Sequence, residues 1–116
     1  MINTRLIADQ YAANGYFAVI PDLFQGDAAP ISPPQGWDMW AWLRGPPGHG
    51  IACVDPVVKT TLAELREKYG CKFIGAAGYC FGAKYVIRHL HPGQGGIDVG
   101  FVAHPSLVEA DELAAI

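Results

Sequence analysis

The chain has 116 residues, of which 51% are hydrophobic, and this predicts a single globular domain with a real core. Its net charge is −3 and its eight Lys and Arg residues are scattered, so we expect no nucleic-acid partner. No apolar run approaches the roughly 20 residues that span a bilayer, and residues 1–5 do not resemble a secretory signal, which predicts a cytoplasmic protein with no membrane partner.

The first half of the chain is predicted to contain a helix, a short strand and a long loop. The spacing of apolar residues favours a helix over about residues 3–15. Residues 16–20 are aromatic and β-branched and are followed by a proline, which is typical of a short buried strand, so Asp22 lies just past a strand's carboxyl end. Residues 25–50 are rich in Gly and Pro and predict a loop with one short helix, whose tryptophans either wall a pocket or fix the loop to the core.

The second half of the chain alternates between helices and strands. Asp55 and Pro56 form an N-cap and first-turn pair, which predicts that a crossover helix begins there. Short apolar runs predict strands at residues 73–78 and 97–103, with a helix between them. The residues from 108 onwards are typical of the start of another helix.

This alternation predicts an α/β fold in which helices cover both faces of a parallel sheet. The whole chain, residues 1–116, would form one domain. The predicted strands are those at residues 16–20, 73–78 and 97–103. Ligands of such sheets bind at the carboxyl ends of the strands. Because Asp22, Cys80 and His104 each follow a strand, we expect them to lie along the same edge.

Residues 78–82 have the sequence G-Y-C-F-G and stand between a predicted strand and a predicted helix. This context is typical of a nucleophile elbow, in which the nucleophile lies on a strained turn and small neighbours let the strand and the helix approach closely. An elbow would expose the Cys80 thiol near a helix N-terminus and leave the backbone N–H of Phe81 free to stabilise an oxyanion. A lone cysteine is more often a small core residue, but the combination of strand, turn and helix favours a nucleophile.

The other cysteines and the histidines predict neither a disulfide framework nor a metal site. The three cysteines have no C-x-x-C spacing. The H-x-H pair that begins at His89 is interpreted as decorating a helix end. His104 follows a strand at the same edge as Cys80, and one hypothesis is that it acts as the base. Glu109 or Asp111 would then orient it.

Four segments of the chain carry recognisable motifs. They are N-T-R-L-I-A-D at residues 3–9, P-D-L-F at 21–24, G-Y-C-F-G-A-K at 78–84 and A-H-P-S at 103–106. Together they resemble the dienelactone hydrolases, in particular the fungal cytosolic members of that family, over nearly the whole chain. The heptapeptide around the cysteine is fairly specific, whereas G-x-C-x-G alone is not. The resemblance implies an α/β-hydrolase fold, of which we expect the chain to be the central part, truncated at both ends.

The same resemblance implies a chemistry and a set of site residues. The family hydrolyses small lactones or carboxylic esters with a Cys-His-Asp triad, so Cys80 would be the nucleophile and the Phe81 N–H part of the oxyanion hole. Asp22, Tyr79 and His104 would line the site, and neither a metal nor an organic cofactor is implied. In the family pattern, the residue matching His104 is not the triad histidine. The triad acid and histidine follow later strands, so we expect this chain to be inactive or impaired by itself.

Two other functions stay open at this point. A non-catalytic interaction or structural module would retain the elbow as a scaffold and leave Cys80 unreactive. It would assemble as a homo-oligomer through open sheet edges, which are expected because the family fold places a further strand between residues 16–20 and the strand before the elbow. A redox sensor is disfavoured, because Cys71 should lie at the far end of the same strand and is badly placed to resolve an oxidised thiol.

Overall fold

The helices and strands follow the predicted alternation from residue 51 onwards. The computed structural model describes residues 2–116. In chain order its elements are α1 (Ile2–Ala13), α2 (Met39–Arg44), α3 (Ile51–Glu67), β1 (Gly75–Tyr79), α4 (Phe81–Arg88), β2 (Val99–Ala103) and α5 (Ala110–Ala114). Parallel strands joined by a helix give the α/β class, in agreement with a partial α/β-hydrolase fold.

Strands β1 and β2 form a two-stranded parallel sheet. The register pairs Gly75 with Val99 at one end and Tyr79 with Ala103 at the other, so both strands end at the same level. The chain segments that follow the two strands therefore emerge side by side at one edge of the sheet, as the sequence predicts.

Helix α4 packs closely on one face of this sheet. A Cβ atom added to Gly78 or to Gly100 would lie 2.7 Å from a methyl group of Val86, which is closer than real Cβ contacts allow. The absence of a side chain at these two strand positions is therefore what lets the helix approach.

The apolar core lies between α3, α4 and the face of the sheet that α4 covers. Its buried members are Val54, Val58, Leu62, Ile74, Tyr85, Val86 and Ile97. On the opposite face, Tyr79, Val99 and Phe101 are each at least 40% exposed. Helices flank the sheet, but among residues 2–116 close packing is confined to one face.

The predicted strand at residues 16–20 is wrong as regular structure. This segment is extended but is not part of the sheet, which within residues 2–116 consists of β1 and β2. It lies instead beside the end of α3, where the ring of Phe17 is 5.4 Å from that of Tyr69. A strand needs a neighbour to accept and donate its backbone hydrogen bonds, so β-propensity alone does not make one.

The predicted start of the crossover helix is also wrong. Helix α3 begins at Ile51, so Asp55 and Pro56 lie inside it rather than at its cap and first turn. Proline removes one backbone donor from the helix, which is normally costly. The Asp55 carboxylate instead forms an ion pair with Arg88 at 2.7 Å and a hydrogen bond with the Nε2 of His89 at 3.0 Å.

Candidate active site

Cys80 occupies the single residue between β1 and α4. Its backbone angles are φ 52° and ψ −114°, a combination that non-glycine residues rarely adopt and that costs about 1–3 kcal/mol. The side chain is exposed. A strained, exposed residue at a strand-to-helix turn is the geometry of a nucleophile elbow.

The two glycines of the motif have different roles. A Cβ at Gly78 would lie 2.8 Å from the Cα of Ala83, so this position must be small. Among residues 2–116, a Cβ at Gly82 would meet no atom within 4 Å outside the backbone of its own helix. The prediction that both glycines are needed for close approach is therefore confirmed for Gly78 and wrong for Gly82.

Phe81 is the first residue of α4, and its backbone N–H therefore has no partner within the helix. No acceptor for it occurs elsewhere in residues 2–116. The Phe81 ring packs between Phe24 and Tyr85, with ring centroids 5.2 Å from each. The backbone around this N–H is thus held by side-chain packing, as an oxyanion donor requires.

Residues 104–107 form a loop over the elbow. The Cys80 N–H donates to the carbonyl of Ala103 at 3.1 Å, and the Ser106 N–H donates to the Cys80 carbonyl at 3.2 Å. The Cys80 Sγ lies 3.7 Å from the Ser106 Oγ. His104 and Leu107, on either side, both have positive φ angles, of 38° and 58°, so the loop turns sharply twice. Sequence reasoning singled out the strand end but missed Ser106.

His104 lies beside Tyr79 rather than on the thiol. The two ring centroids are 6.2 Å apart, and both side chains are exposed at the edge where Cys80 lies. Within residues 2–116, neither Glu109 nor Asp111 is hydrogen-bonded to His104. The structure thus brings Tyr79, Cys80 and His104 to one edge without forming the hypothetical dyad between His104 and a carboxylate. Asp22 does not follow a strand of this sheet, so the basis for placing it along the same edge is wrong.

Asp22 uses its carboxylate to close a turn. Its two oxygens accept hydrogen bonds from the backbone N–H groups of Phe24 and Gly26, at 3.3 and 2.8 Å. This turn presents the Phe24 ring to the ring of Phe81. Asp22 therefore connects to the elbow through an aromatic contact.

An aromatic cluster in the long loop extends from Phe24. The Trp42 ring lies 4.9 Å from Phe24 and stacks flat on His49 at 4.0 Å. His49 Nδ1 lies 2.6 Å from the Trp42 carbonyl, and its Nε2 lies 2.8 Å from the Asp27 carboxylate. Both partners are acceptors, so both bonds form together only when each ring nitrogen carries a proton. Of the two roles that the sequence leaves open for the tryptophans, these contacts favour fixing the loop, and nothing local in the sequence pointed to His49.

A network of buried charges holds the other side of α4. Lys84 pairs with Glu112 at 2.8 Å, and Glu112 also pairs with Arg88 at 2.7 Å. Arg88 continues to Asp55, which in turn meets His89. His89 is only 6% exposed, so it is a buried hydrogen-bond partner of Asp55 and more than a decoration of the helix end.

The network shifts the acidity of its carboxylates. Burial by itself raises the pKa of Glu112, but hydrogen bonds from Lys84 and two further donors lower it to about 2. Burial likewise acts to raise the pKa of Asp55, yet hydrogen bonds from Arg88 and His89 hold it below its ordinary value. These carboxylates therefore carry their charge in the folded protein at neutral pH.

Two general properties bear on the kind of site. Residues 2–116 contain no group of three or more His, Cys, Asp or Glu side chains arranged to hold a metal ion. None of the helices in this part of the chain is long and apolar enough to cross a membrane.

Comparison with known proteins identifies related sequences. The model of the dienelactone hydrolase family matches residues 1–116. "Hydrolase pyvD" of Aspergillus violaceofuscus is 53% identical over 116 residues, which is 100% of this chain and 45% of that protein. "Hydrolase tropI" of Talaromyces stipitatus is also 53% identical, over 98% of this chain and 46% of its own length. The human "carboxymethylenebutenolidase homolog" is 33% identical over 76% of this chain and 34% of its own length.

The chain thus spans less than half the length of these relatives. No solved structure matches it.

Proposed function

Because the chain belongs to the dienelactone hydrolase family, we propose that it carries the cysteine nucleophile of a hydrolase acting on small lactones or carboxylic esters. The observation that carries this proposal is the strained backbone of Cys80, which holds an exposed thiol at the turn between β1 and α4. Ordinary core packing gives no reason to maintain such strain, whereas a nucleophile elbow does.

The proposed chemistry is acyl transfer. The Cys80 thiolate attacks the ester or lactone carbonyl carbon, a C–S bond forms, and the electron pair of the C=O bond moves to oxygen. The Phe81 N–H stabilises that oxyanion, and α4 adds the positive end of its dipole. When the carbonyl re-forms, the C–O bond breaks, and the alcohol oxygen leaves with the electron pair and takes up a proton from the solvent. Water then hydrolyses the thioester, which releases the carboxylic acid and restores the thiol.

Tyr79, Asp22 and His104 belong to this proposal as residues around the site. Tyr79 and His104 lie exposed at the edge where Cys80 sits, which supports a role in contacting substrate. Asp22 supports the site through the turn that seats Phe24 on Phe81. The chemistry as written uses neither a metal nor an organic cofactor, and a cytoplasmic location stays a prediction from the sequence.

Acylation by an activated ester tests the proposal. Mixing the chain with p-nitrophenyl acetate should release about one equivalent of p-nitrophenolate in a burst, because the thioester forms faster than water removes it. Intact-mass and peptide analysis should locate one acetyl group on Cys80. This readout requires only the nucleophile and the oxyanion donor, so it does not depend on rapid turnover.

Matched cysteine variants provide the control for this burst. Cys80→Ala should abolish it, whereas Cys53→Ala and Cys71→Ala should retain it, since both of those thiols are less exposed and lie outside the elbow. A burst that survives in Cys80→Ala, or an acetyl group found on another residue, would contradict the assignment.

A non-catalytic interaction module is the alternative. The observation in its favour is the apolar face formed by Tyr79, Val99 and Phe101, together with the free edges of a two-stranded sheet. This function predicts that Cys80 is not acylated and that copies of the chain assemble stably through the sheet. Sedimentation velocity of the chain and of a Phe101→Ser variant distinguishes the two functions. Only the interaction module requires self-association of the chain, which this substitution should weaken.

A further inference from the structure

Two segments that are distant in the sequence are fixed to each other at the elbow. The loop of residues 104–107 is joined to the elbow by the two backbone hydrogen bonds that Cys80 makes, to Ala103 and from Ser106. On its far side, the Lys84 Nζ donates to the carbonyl of Leu107 at 2.5 Å. The loop is therefore held from both ends by the turn and first residues of α4.

Lys84 is suited to fixing this loop because its ammonium group is held in a buried position. Its side chain is buried, and Glu112 neutralises its charge at 2.8 Å. A buried ammonium group that loses an acceptor has a large desolvation cost, so the bond to Leu107 is strongly favoured. The lysine of the G-Y-C-F-G-A-K motif thus acts on the segment that follows β2.

The side chain that this arrangement brings to the nucleophile is Ser106. Its Oγ lies 3.7 Å from the Cys80 Sγ, and the residue is partly buried. The Ser106 N–H is also bonded to the Cys80 carbonyl, which keeps the hydroxyl near the sulfur. A hydroxyl can both accept and donate a hydrogen bond. It can accept from the neutral thiol, and it can rotate to donate to the thiolate once the proton has left. A donor to the thiolate favours the charged, nucleophilic form.

We propose that Ser106 is a positioning residue that acts through Cys80: its hydroxyl stabilises the thiolate, and Lys84 holds Ser106 in place through Leu107. The inference rests on the proposed function in taking Cys80 as the nucleophile. The interaction itself is measurable without any ester, because an alkylating reagent reports directly on the thiolate.

The test compares the rate at which iodoacetamide alkylates Cys80 in the wild type, Ser106→Ala and Ser106→Thr over a range of pH. Peptide mass spectrometry follows Cys80 separately from the other two cysteines. At neutral pH, Ser106→Ala should react about tenfold more slowly, the effect of losing one hydrogen bond to a charged group. The rates should converge at high pH, where the thiol is ionised in both proteins. Ser106→Thr keeps the hydroxyl and should recover most of the neutral-pH rate.

A purely structural role for Ser106 would change the rate by the same factor at every pH, and that result would overturn the proposal. A profile of Ser106→Ala that coincides with the wild type would also overturn it. Circular dichroism and thermal melting of each variant show that the comparison is made on folded protein.

The part assigned to Lys84 has its own control. Lys84→Met should shift the alkylation profile in the same direction as Ser106→Ala, whereas Lys59→Met, at an exposed lysine on α3, should leave it unchanged. If Lys84→Met folds and reacts as the wild type does, the role of Lys84 is refuted. If it fails to fold, the comparison of Ser106→Ala with Ser106→Thr decides the proposal. Alkylation that depends on Ser106 in a chain that p-nitrophenyl acetate does not acylate would refute the hydrolase proposal and support this one.

Discussion

At the scale of single residues, the geometry of the elbow depends on how closely the backbone of β1 approaches α4. Gly78 and Gly82 flank Cys80 symmetrically in the sequence but have different surroundings. Only Gly78 faces the packed side of the sheet, where Val86 and Ala83 leave no room for a methyl group. The two positions therefore form a matched pair for testing which glycine the turn requires.

We expect Gly78→Ala to lower the free energy of unfolding by about 1–3 kcal/mol, because the added methyl group overpacks against α4. Gly82→Ala should be neutral or raise it by up to about 1 kcal/mol, since alanine is the better helix former and meets no neighbouring atom. Urea denaturation of both variants measures the difference. Equal losses at both positions would show that the close approach at Gly78 is not a constraint.

At the scale of elements, the long loop between residues 22 and 50 owes its order to aromatic packing. Helix α2, inside this loop, has only six residues and no buried residue, so it is not stable by itself. Trp42 connects it to Phe24 and His49, and the Trp42 Nε1 donates to the carbonyl of Asp27 at 3.0 Å. Through Phe24 the same cluster reaches Phe81, the residue with the proposed oxyanion donor.

We expect Trp42→Phe to release this loop. The substitution removes the indole N–H and part of a packed ring, so the free energy of unfolding should fall by about 1–3 kcal/mol and cleavage within residues 28–36 should accelerate several-fold. Trp40→Phe, on the same helix, is the control, because Trp40 is 51% exposed and its ring lies under Arg44. Limited proteolysis measures the rate of cleavage within residues 28–36 in the two variants, and equal rates would contradict the anchoring role of Trp42.

At the scale of the whole molecule, polar and apolar stabilisation are segregated. The apolar core lies under one face of the sheet, while the ion-pair network joins α3, α4 and α5 around the other side of the elbow helix. By contrast, α1 contributes no buried residue. The arrangement of α3, α4 and α5 therefore depends heavily on a few charges, above all on Glu112.

The network makes stability depend on acid pH. The pKa of Glu112 is about 2 when folded, below the ordinary value for Glu, so its contribution is complete above the unfolded value. The contribution is lost as pH falls from about 4.5 towards 2. We expect the free energy of unfolding to decline over this window.

Glu112→Gln should flatten this decline and should also destabilise the protein at neutral pH by about 3 kcal/mol, because Lys84 loses its buried counter-ion. Glu64→Gln, at an exposed glutamate of α3, should do neither. Urea titrations at a series of pH values measure both effects. An unchanged slope in Glu112→Gln would show that other groups cause the acid sensitivity.

Features determined by contiguous residues could be predicted from the sequence, whereas features that depend on distant residues could not. The elbow was predictable because a strand, a turn and a helix that are contiguous in the sequence determine it. The strand at residues 16–20 was not, because its formation depends on a neighbour. Asp55 carried a convincing local cap signal, but partners more than 30 residues away use its carboxylate instead. Ser106 was missed for the same reason, since its contact with Cys80 follows from strand register.

That register has a consequence for protein engineering. Because Tyr79 pairs with Ala103, the segment that follows β2 emerges beside Cys80. Residues 80–84 and 104–107 therefore behave as a single unit in mutagenesis, and substitutions in the two segments should combine non-additively. Directed evolution of this scaffold should vary both segments together, because a library confined to residues 80–84 would test each substitution only against the wild-type residues 104–107.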